Sequence, residues 1–262
     1  MLVSENANYT GFDRLLSRLK RDNTEHCNLP ICNPRTEPCN LYQATTVAID
    51  GPAASGKTAV GKLTSKQLDY RFLDTGSMYR AVTLEALMRD ISLNDNGALS
   101  KLAVSLNFEL LPQNTTGILA VDGNELNEEL RDPRVDAAVS QISKIDGVRT
   151  ALVEQQRIVC ADGQIVVVGR DIGTVVVPDA RVKVYLTAPI VVRANRRYSE
   201  IHSLGGNVDL DSLIEKLERR DHIDSTRASS PLRPADDAVQ IDTENLSVKQ
   251  VSDIVVNLAG TV

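Results

Sequence analysis

The sequence predicts an α/β fold, a doubly wound parallel sheet in three layers, and three observations carry that prediction. Apolar runs rich in β-branched residues, "IVVVG", "TVVV" and "VKVYL", suit strands buried on both faces. Strand-like and helix-like segments alternate from residue 45 onward, the pattern of parallel strands joined by crossover helices. Residues 49–60, "IDGPAASGKTAV", set a glycine-rich loop between an apolar strand and a helix.

Composition narrows the class. The chain has 262 residues, 42% hydrophobic, which is enough for one large domain or a core with an insertion. Aromatics make up 3% with no Trp, so Val, Ile, Leu and Ala must build the core. The net charge of −6 weighs against a non-specific nucleic-acid binder, which is usually basic. No apolar stretch reaches the roughly 18 residues of a membrane span. The start, "MLVSENANYT", lacks the basic and apolar regions of a signal peptide, so a soluble cytoplasmic protein is expected.

Residues 1–43 read as an N-terminal extension. "FDRLLSRLK" spaces Phe12, Leu15, Leu16 and Leu19 along one helical face, and a linker rich in Pro, Asn and Cys follows. His26, Cys27, Cys32 and Cys39 match no standard zinc spacing and read as free thiols in a reducing compartment. Cys160 closes an apolar-periodic segment and reads as a small core residue.

The main domain, 44–262, then unfolds in order. "TVAID" is a strand, residues 57–68 a helix, "RFLD" a short strand and "GSMYRAVTLEALMRD" a helix. Residues 107–126 break the rhythm: they alternate like antiparallel strands around Pro112 and "NTTG", with a turn at "DG", and read as a small inserted β unit. Helices follow at about 135–144 and 147–160, then the strands "QIVVV" and "VKVYL". An Arg-rich helix at 190–203, a helix opening at "DLDSL", the strand "AVQID" and a helix at 247–258 complete the chain.

The loop carries the sharpest chemistry. Gly51, Pro52, Ala53, Ala54, Ser55, Gly56, Lys57 and Thr58 match G-x-x-x-x-G-K-[ST] in full, with strand before and helix after. Glycines let successive N–H groups turn toward phosphate oxygens, and the helix that begins near Lys57 and Ala59 adds its own N-terminal N–H groups. Lys57 is suited to the β and γ phosphates and the Thr58 hydroxyl to a magnesium ion held with them. The loop implies a nucleoside triphosphate.

A guanine-specific switch also needs N/T-K-x-D after a buried strand. The nearest string, "SKID" at 143–146, sits in a polar, helix-like segment. A small-molecule kinase needs instead a second anionic substrate, clamped by arginines from several segments. Arg80, Arg170, Arg193, Arg196 and Arg197 supply them, with Arg170 at the carboxyl end of a strand, where open α/β sheets bind ligands. In the helix from Asp209, the stripe Leu210, Leu213 and Leu217 continues into Arg220, Asp224 and Arg227. Charges on a core-facing stripe need a polar cleft, unless the helix frays by about Asp221.

At this point the residues resemble a family. "VAIDGPAASGKTAVGKL", "FLDTGSMYRAVTLEAL", "GRDIGTVVVPDARVKVYLTA" and "RRDHIDSTRASSPLRPADDAVQIDT" are similar to the bacterial-type cytidylate kinases, over about residues 45–258. The resemblance implies a nucleoside-monophosphate-binding insertion at about 76–135 and a helical lid at about 190–206. It implies transfer of the γ-phosphoryl of ATP to CMP or dCMP with magnesium, by a cytoplasmic monomer. By motif, Thr75, Arg80 and Arg170 fall on the acceptor phosphate, and Ser140, Arg149, Asp171 and Arg227 on the cytosine base. Arg220 and Asp224 fall on the sugar, and Arg193, Arg196 and Arg197 on the lid that spreads charge at the transferring group. The leader is not part of that pattern, and Ile223 stands where some relatives carry another charge. Another P-loop kinase of small metabolites, or a nucleotide-gated regulatory ATPase, remains as an alternative.

Overall fold

β1 (Thr46–Asp50) is buried along its whole length because strands flank it on both sides. It pairs in parallel with β6 (Ile165–Val168) and with β7 (Val182–Thr187). Outside these lie β2 (Arg71–Asp74) and β8 (Val239–Asp242), also parallel, giving the order β2-β6-β1-β7-β8. This computed structural model describes residues 45–111, 119–126, 128–203 and 205–260. The leader helix read at Phe12 to Leu19, the His26/Cys27/Cys32/Cys39 group and the "NTTG" turn beside Pro112 lie outside the described residues.

Strand alternation sorts the core into two faces. Val47, Ile49, Val166 and Val168 pack with Val60 of α1 (Lys57–Leu68) and with Val251 and Val255 of α8 (Val248–Gly260). Ala48, Leu73, Ile165 and Val167 face the other way, onto α2 (Thr75–Met88) and α5 (Asp146–Cys160). Three layers result, as the runs of β-branched residues predict. Gly61 sets how closely α1 lies on the sheet: a Cβ there would sit 2.6 Å from Val168 Cγ1 and 2.7 Å from Phe72 Cε2.

The insertion holds α3 (Asn96–Ser105), the antiparallel strands β3 (Phe108–Leu110), β4 (Leu119–Val121) and β5 (Asn124–Glu125), and α4 (Pro133–Ile142). Among the described residues it shares the core of the main sheet: Leu99, Phe108, Val121 and Val139 join the same cluster as the sheet residues Leu73 and Val167. α3 has no counterpart in the sequence reading, although Asp95 caps it by accepting from Ala98 N at 2.9 Å. "SKID" spans the junction of α4 and α5, with no strand before it.

The Arg-rich segment forms α6 (Ile190–Ser203), and the leucine stripe forms α7 (Leu210–Thr226). α7 does not fray at Asp221. Arg220 and Asp224 therefore stay on the inward stripe, and Arg227 is the helix's C-terminal cap residue.

Candidate active site

The carboxyl ends of β1, β2 and β6 bring the singled-out residues together. Gly51 has φ +148°, and a Cβ there would lie 2.2 Å from the Leu186 carbonyl oxygen, so β7 leaves no room for a side chain. Gly56 takes φ +92° as it turns the loop into α1. Ala54 also sits in the left-handed region, at φ +57°, where a Cβ is strained.

Lys57 is buried and donates to the Pro52 carbonyl at 2.6 Å and to Ser55 Oγ at 3.2 Å. Burial, then the charge of Arg170, holds its ammonium pKa well below the ordinary 10.5. Thr58 Oγ1 donates to Asp74 Oδ2 at 2.7 Å. Asp74 also caps α2 through Gly76 N, so strand β2 delivers a carboxylate to the mouth of the loop. Asp50, the last residue of β1, accepts from the N–H groups of Ile172 and Gly173, each at 2.8 Å. Its carboxyl pKa is raised from 3.8 to about 6 by burial, which outweighs those two bonds and nearby Lys57. Asp50 thus ties the loop's strand to the turn that carries Arg170 and Asp171. Asp50 and Asp74 were not singled out from sequence, although the "D-G" and "D-T-G" strings end their strands.

On the other side of the cleft, arginines and aspartates alternate. Arg149 of α5 donates from Nη2 to Asp171 Oδ2 at 2.5 Å and from Nη1 to the Ser143 carbonyl at 3.2 Å. Arg227 lies 3.6 Å from Asp171 and 3.7 Å from Asp224. Arg170 donates to Asp224 Oδ2 at 3.0 Å. Tyr79 lies against this group, with Arg149 5.5 Å from its ring centre. Thr75 donates to the Val168 carbonyl at 3.0 Å, which fixes the start of α2 beside Gly169. Ser140 is half-buried on α4, and no hydrogen bond among the described residues ties its hydroxyl to the arginines.

Arg220 differs from its neighbours, because it enters no ion pair among the described residues. Burial, then Arg170, lowers its pKa from 12.5 to about 10, and Arg80 pushes the same way. Arg220 in turn helps to depress Lys57. Lys57, Arg170 and Arg220 therefore converge from three elements and repel one another.

The three arginines of α6 do not act as one set. Arg193 is buried; it donates to the Ala188 and Ala53 carbonyls and to Asp221 Oδ2, at 2.9, 3.0 and 2.6 Å. Asp221 Oδ1 accepts from Ala53 N at 3.2 Å, so the pair brackets one residue of the glycine-rich loop. Arg196 donates to Thr243 Oγ1 and to its carbonyl, at 2.9 and 2.5 Å. Arg197 pairs with Glu200 at 2.8 Å and reaches Asp136 at 3.6 Å, while Arg80 meets the same Asp136 at 2.5 Å. Spacings of three and four residues put all three on one side of α6, with Arg196 and Arg197 flanking Arg193 and reaching opposite ways, to Thr243 and to Asp136.

A cavity of about 340 Å³ lined by Thr46, Arg157, Cys160 and Val176 lies elsewhere, at the amino end of β1. Cys160 is a free, buried thiol whose pKa burial pushes up to about 12, as suits an inert core residue. No group of three or more His, Cys, Asp or Glu that could hold a metal forms among the described residues. No helix among them is long and apolar enough to cross a membrane.

The family model for cytidylate kinase matches residues 47–261. The chain belongs to the cytidylate kinase family. A cytidylate kinase of Bacillus velezensis is 44% identical over 207 residues, covering 79% of this chain and 92% of that protein. One from Desulforamulus reducens is 45% identical over 210 residues, covering 80% and 94%. A bifunctional pantoate ligase/cytidylate kinase of a Synechococcus strain is 45% identical over 216 residues, which span 81% of this chain and 40% of that protein. Among solved structures, a gluconokinase from Sinorhizobium meliloti 1021 overlays with TM-score 0.40 and 12% identity, over 83% of this chain and 92% of that one.

Proposed function

We propose that this protein transfers the γ-phosphoryl group of ATP to CMP or dCMP, giving ADP and CDP or dCDP. The observation that carries the reading is the convergence of Lys57, Arg170 and Arg220: burial and then the charge of Arg170 lower the pKa of both Lys57 and Arg220, so the three cations call for a shared polyanion. Residues Gly51 to Ala59 cradle the triphosphate, with backbone N–H groups and Lys57 toward the β and γ phosphates. Arg80, Arg170 and Arg220 hold the acceptor phosphate; their company of cations suits Arg220 to a phosphate better than to a sugar. Asp171 accepts from the cytosine amine, with Arg149 and Arg227 fixing its carboxylate and facing the base's acceptor atoms. Uracil carries an oxygen in place of that amine, so an acceptor faces the carboxylate where a donor is wanted, a loss of about 1–3 kcal/mol. Asp224 holds Arg170 and Arg227 and lies where the sugar sits, and Ser140 and Thr75 line the same pocket.

In the reaction an oxygen of the acceptor phosphate attacks the γ-phosphorus, and the bond to the β–γ bridging oxygen breaks. The acceptor is already anionic, so no general base is needed; alignment and charge neutralisation carry the rate. The Thr58 hydroxyl and the Asp74 carboxylate are the oxygen groups that fit a magnesium ion, which takes few protein ligands beside phosphates and water. When bound, magnesium supplies positive charge to the β and γ phosphates. Arg193 and Asp221 set the loop around Ala53, Arg196 anchors Thr243, and Arg197 faces the acceptor side. The acidic chain suits small nucleotides rather than nucleic acid as partners, and we place it in the cytoplasm as a monomer.

The test is an ADP-release assay with ATP and magnesium, comparing CMP, dCMP, UMP and AMP. Fast release with the two cytidine nucleotides alone is the expected result. Release indifferent to all four acceptors leaves an ATPase or switch standing and sinks the acceptor pocket.

A further inference from the structure

We propose that Asp136 is a built-in competitor for the acceptor phosphate, and so sets how tightly the acceptor nucleotide binds. The inference rests on the reading of Arg80 as a phosphate ligand. Asp136 lies in the first turn of α4. Its two oxygens reach arginines from two different elements: Oδ1 is 2.5 Å from Arg80 Nη1 on α2, and Oδ2 is 3.6 Å from Arg197 Nη2 on α6. Its charge also acts on Arg220. One carboxylate thus bridges two cations assigned to the acceptor side and lends its charge to a third.

Arg80 has a further tether, the Leu130 carbonyl at 3.2 Å, so Asp136 is not its sole anchor. Arg197 likewise keeps Glu200. The arginines remain placed without Asp136. What the carboxylate does add is a negative charge at donors that a phosphate dianion must engage. A phosphate carries more charge and more acceptor oxygens, so it displaces the carboxylate, and affinity falls by the strength of the pairs given up. The side chain is 38% exposed, so solvent keeps that effect modest.

The experiment compares the full chain with Asp136→Asn and Asp136→Glu. Initial rates at saturating ATP give KM for CMP, and calorimetry gives Kd for CMP, cytidine and inorganic phosphate. Asp136→Asn is expected to lower KM and Kd for CMP about 2- to 5-fold, the scale of a part-exposed ion pair, and to tighten inorganic phosphate likewise. Cytidine, which has no phosphate, should bind unchanged, and Asp136→Glu should return KM toward the starting value. A KM for CMP that rises shows that Asp136 positions Arg80, and overturns the competitor role. An unchanged KM and Kd overturn it as well. If the unaltered chain fails to phosphorylate CMP, the functional reading falls by itself; inorganic phosphate still decides whether Asp136 competes.

Discussion

Replacing Asp171 by asparagine tests fold and recognition in one variant, because the carboxylate serves both. Arg149 and Asp171 form a buried pair, with side chains 2% and 7% exposed. Arg149 Nε has no hydrogen-bond partner among the described residues, so the cation is already short of acceptors. Arg227 also faces Asp171, at 3.6 Å. Removing one partner of a buried pair destabilises by roughly 3–5 kcal/mol. Asparagine keeps the shape and one acceptor oxygen, so the lower end applies, about 3 kcal/mol. For a domain of this size each kcal/mol moves Tm by about 2–4 °C, which gives a drop of about 6–12 °C.

The same change alters recognition. An amide at residue 171 can donate to the uracil oxygen as well as accept from the cytosine amine. The ratio of kcat/KM for CMP over UMP should therefore fall by the 1–3 kcal/mol that the carboxylate contributes, about 5- to 150-fold. Thermal melts and ADP release, assayed well below the lowered Tm, read the two effects separately. A fall in Tm with an unchanged CMP/UMP ratio makes Asp171 a counter-ion for Arg149 and nothing more. A Tm within about 2 °C of the starting value refutes the stability argument itself.

Other expectations follow from the loop and its strand. Lys57→Met should lower turnover by about 100-fold or more while leaving Tm unchanged or higher, since the ammonium is buried at a penalty; a clear loss of Tm in melts refutes this. Ala54→Gly relieves φ +57° and should raise stability by up to about 1 kcal/mol, or about 2–4 °C in a melt, with denaturation midpoints as the check. Asp50 has a folded-state pKa of about 6 against 3.8, so the native state holds its proton longer than the unfolded chain does. Its contribution to stability is therefore greatest below pH 4 and lost as pH rises toward 6, by about 3 kcal/mol. Urea unfolding across pH 4–7 should show that loss in the native sequence and not in Asp50→Asn; identical slopes contradict it.

How much was legible in the sequence differs between backbone and side-chain pairing. The parallel sheet, the glycine-rich loop and the inserted β unit are local facts, written in β-branched runs, a fixed eight-residue motif and alternation, and each is where the sequence puts it. α3 has no counterpart in the reading because "NGALSKLAVS" mixes Gly and Ser into a short stretch, and the Asp95 cap and the i, i+3, i+4 set Leu99, Leu102 and Ala103 are the signals that announce it. α4 begins at Pro133, two residues before the expected start, where Asp132 caps and Pro takes the first turn. The pairings were not readable at all. Asp221 meets Arg193 from 28 residues away and Asp136 meets Arg80 from 56, and nothing in either string marks its partner. The readings of Arg193 and Arg196 as charge-spreading groups failed to foresee that each has carbonyls to satisfy in the loop and in the β8 turn.

Those pairings give a physical rule for dividing the cluster. So many cations in one cleft would repel each other, and alternation with Asp171, Asp224, Asp221 and Asp136 makes the arrangement tolerable. An arginine already held by a carboxylate is pre-oriented, and it gains less from a further anion than an unpaired cation does. Lys57 and Arg220 enter no ion pair among the described residues, and burial, then Arg170, lowers the pKa of each. They are the positions where phosphate charge is worth most. The paired arginines fix the geometry, and the unpaired cations supply the attraction. On the proposed reading, the cleft keeps its shape through its aspartates and reserves Lys57 and Arg220 for the two phosphates that must meet.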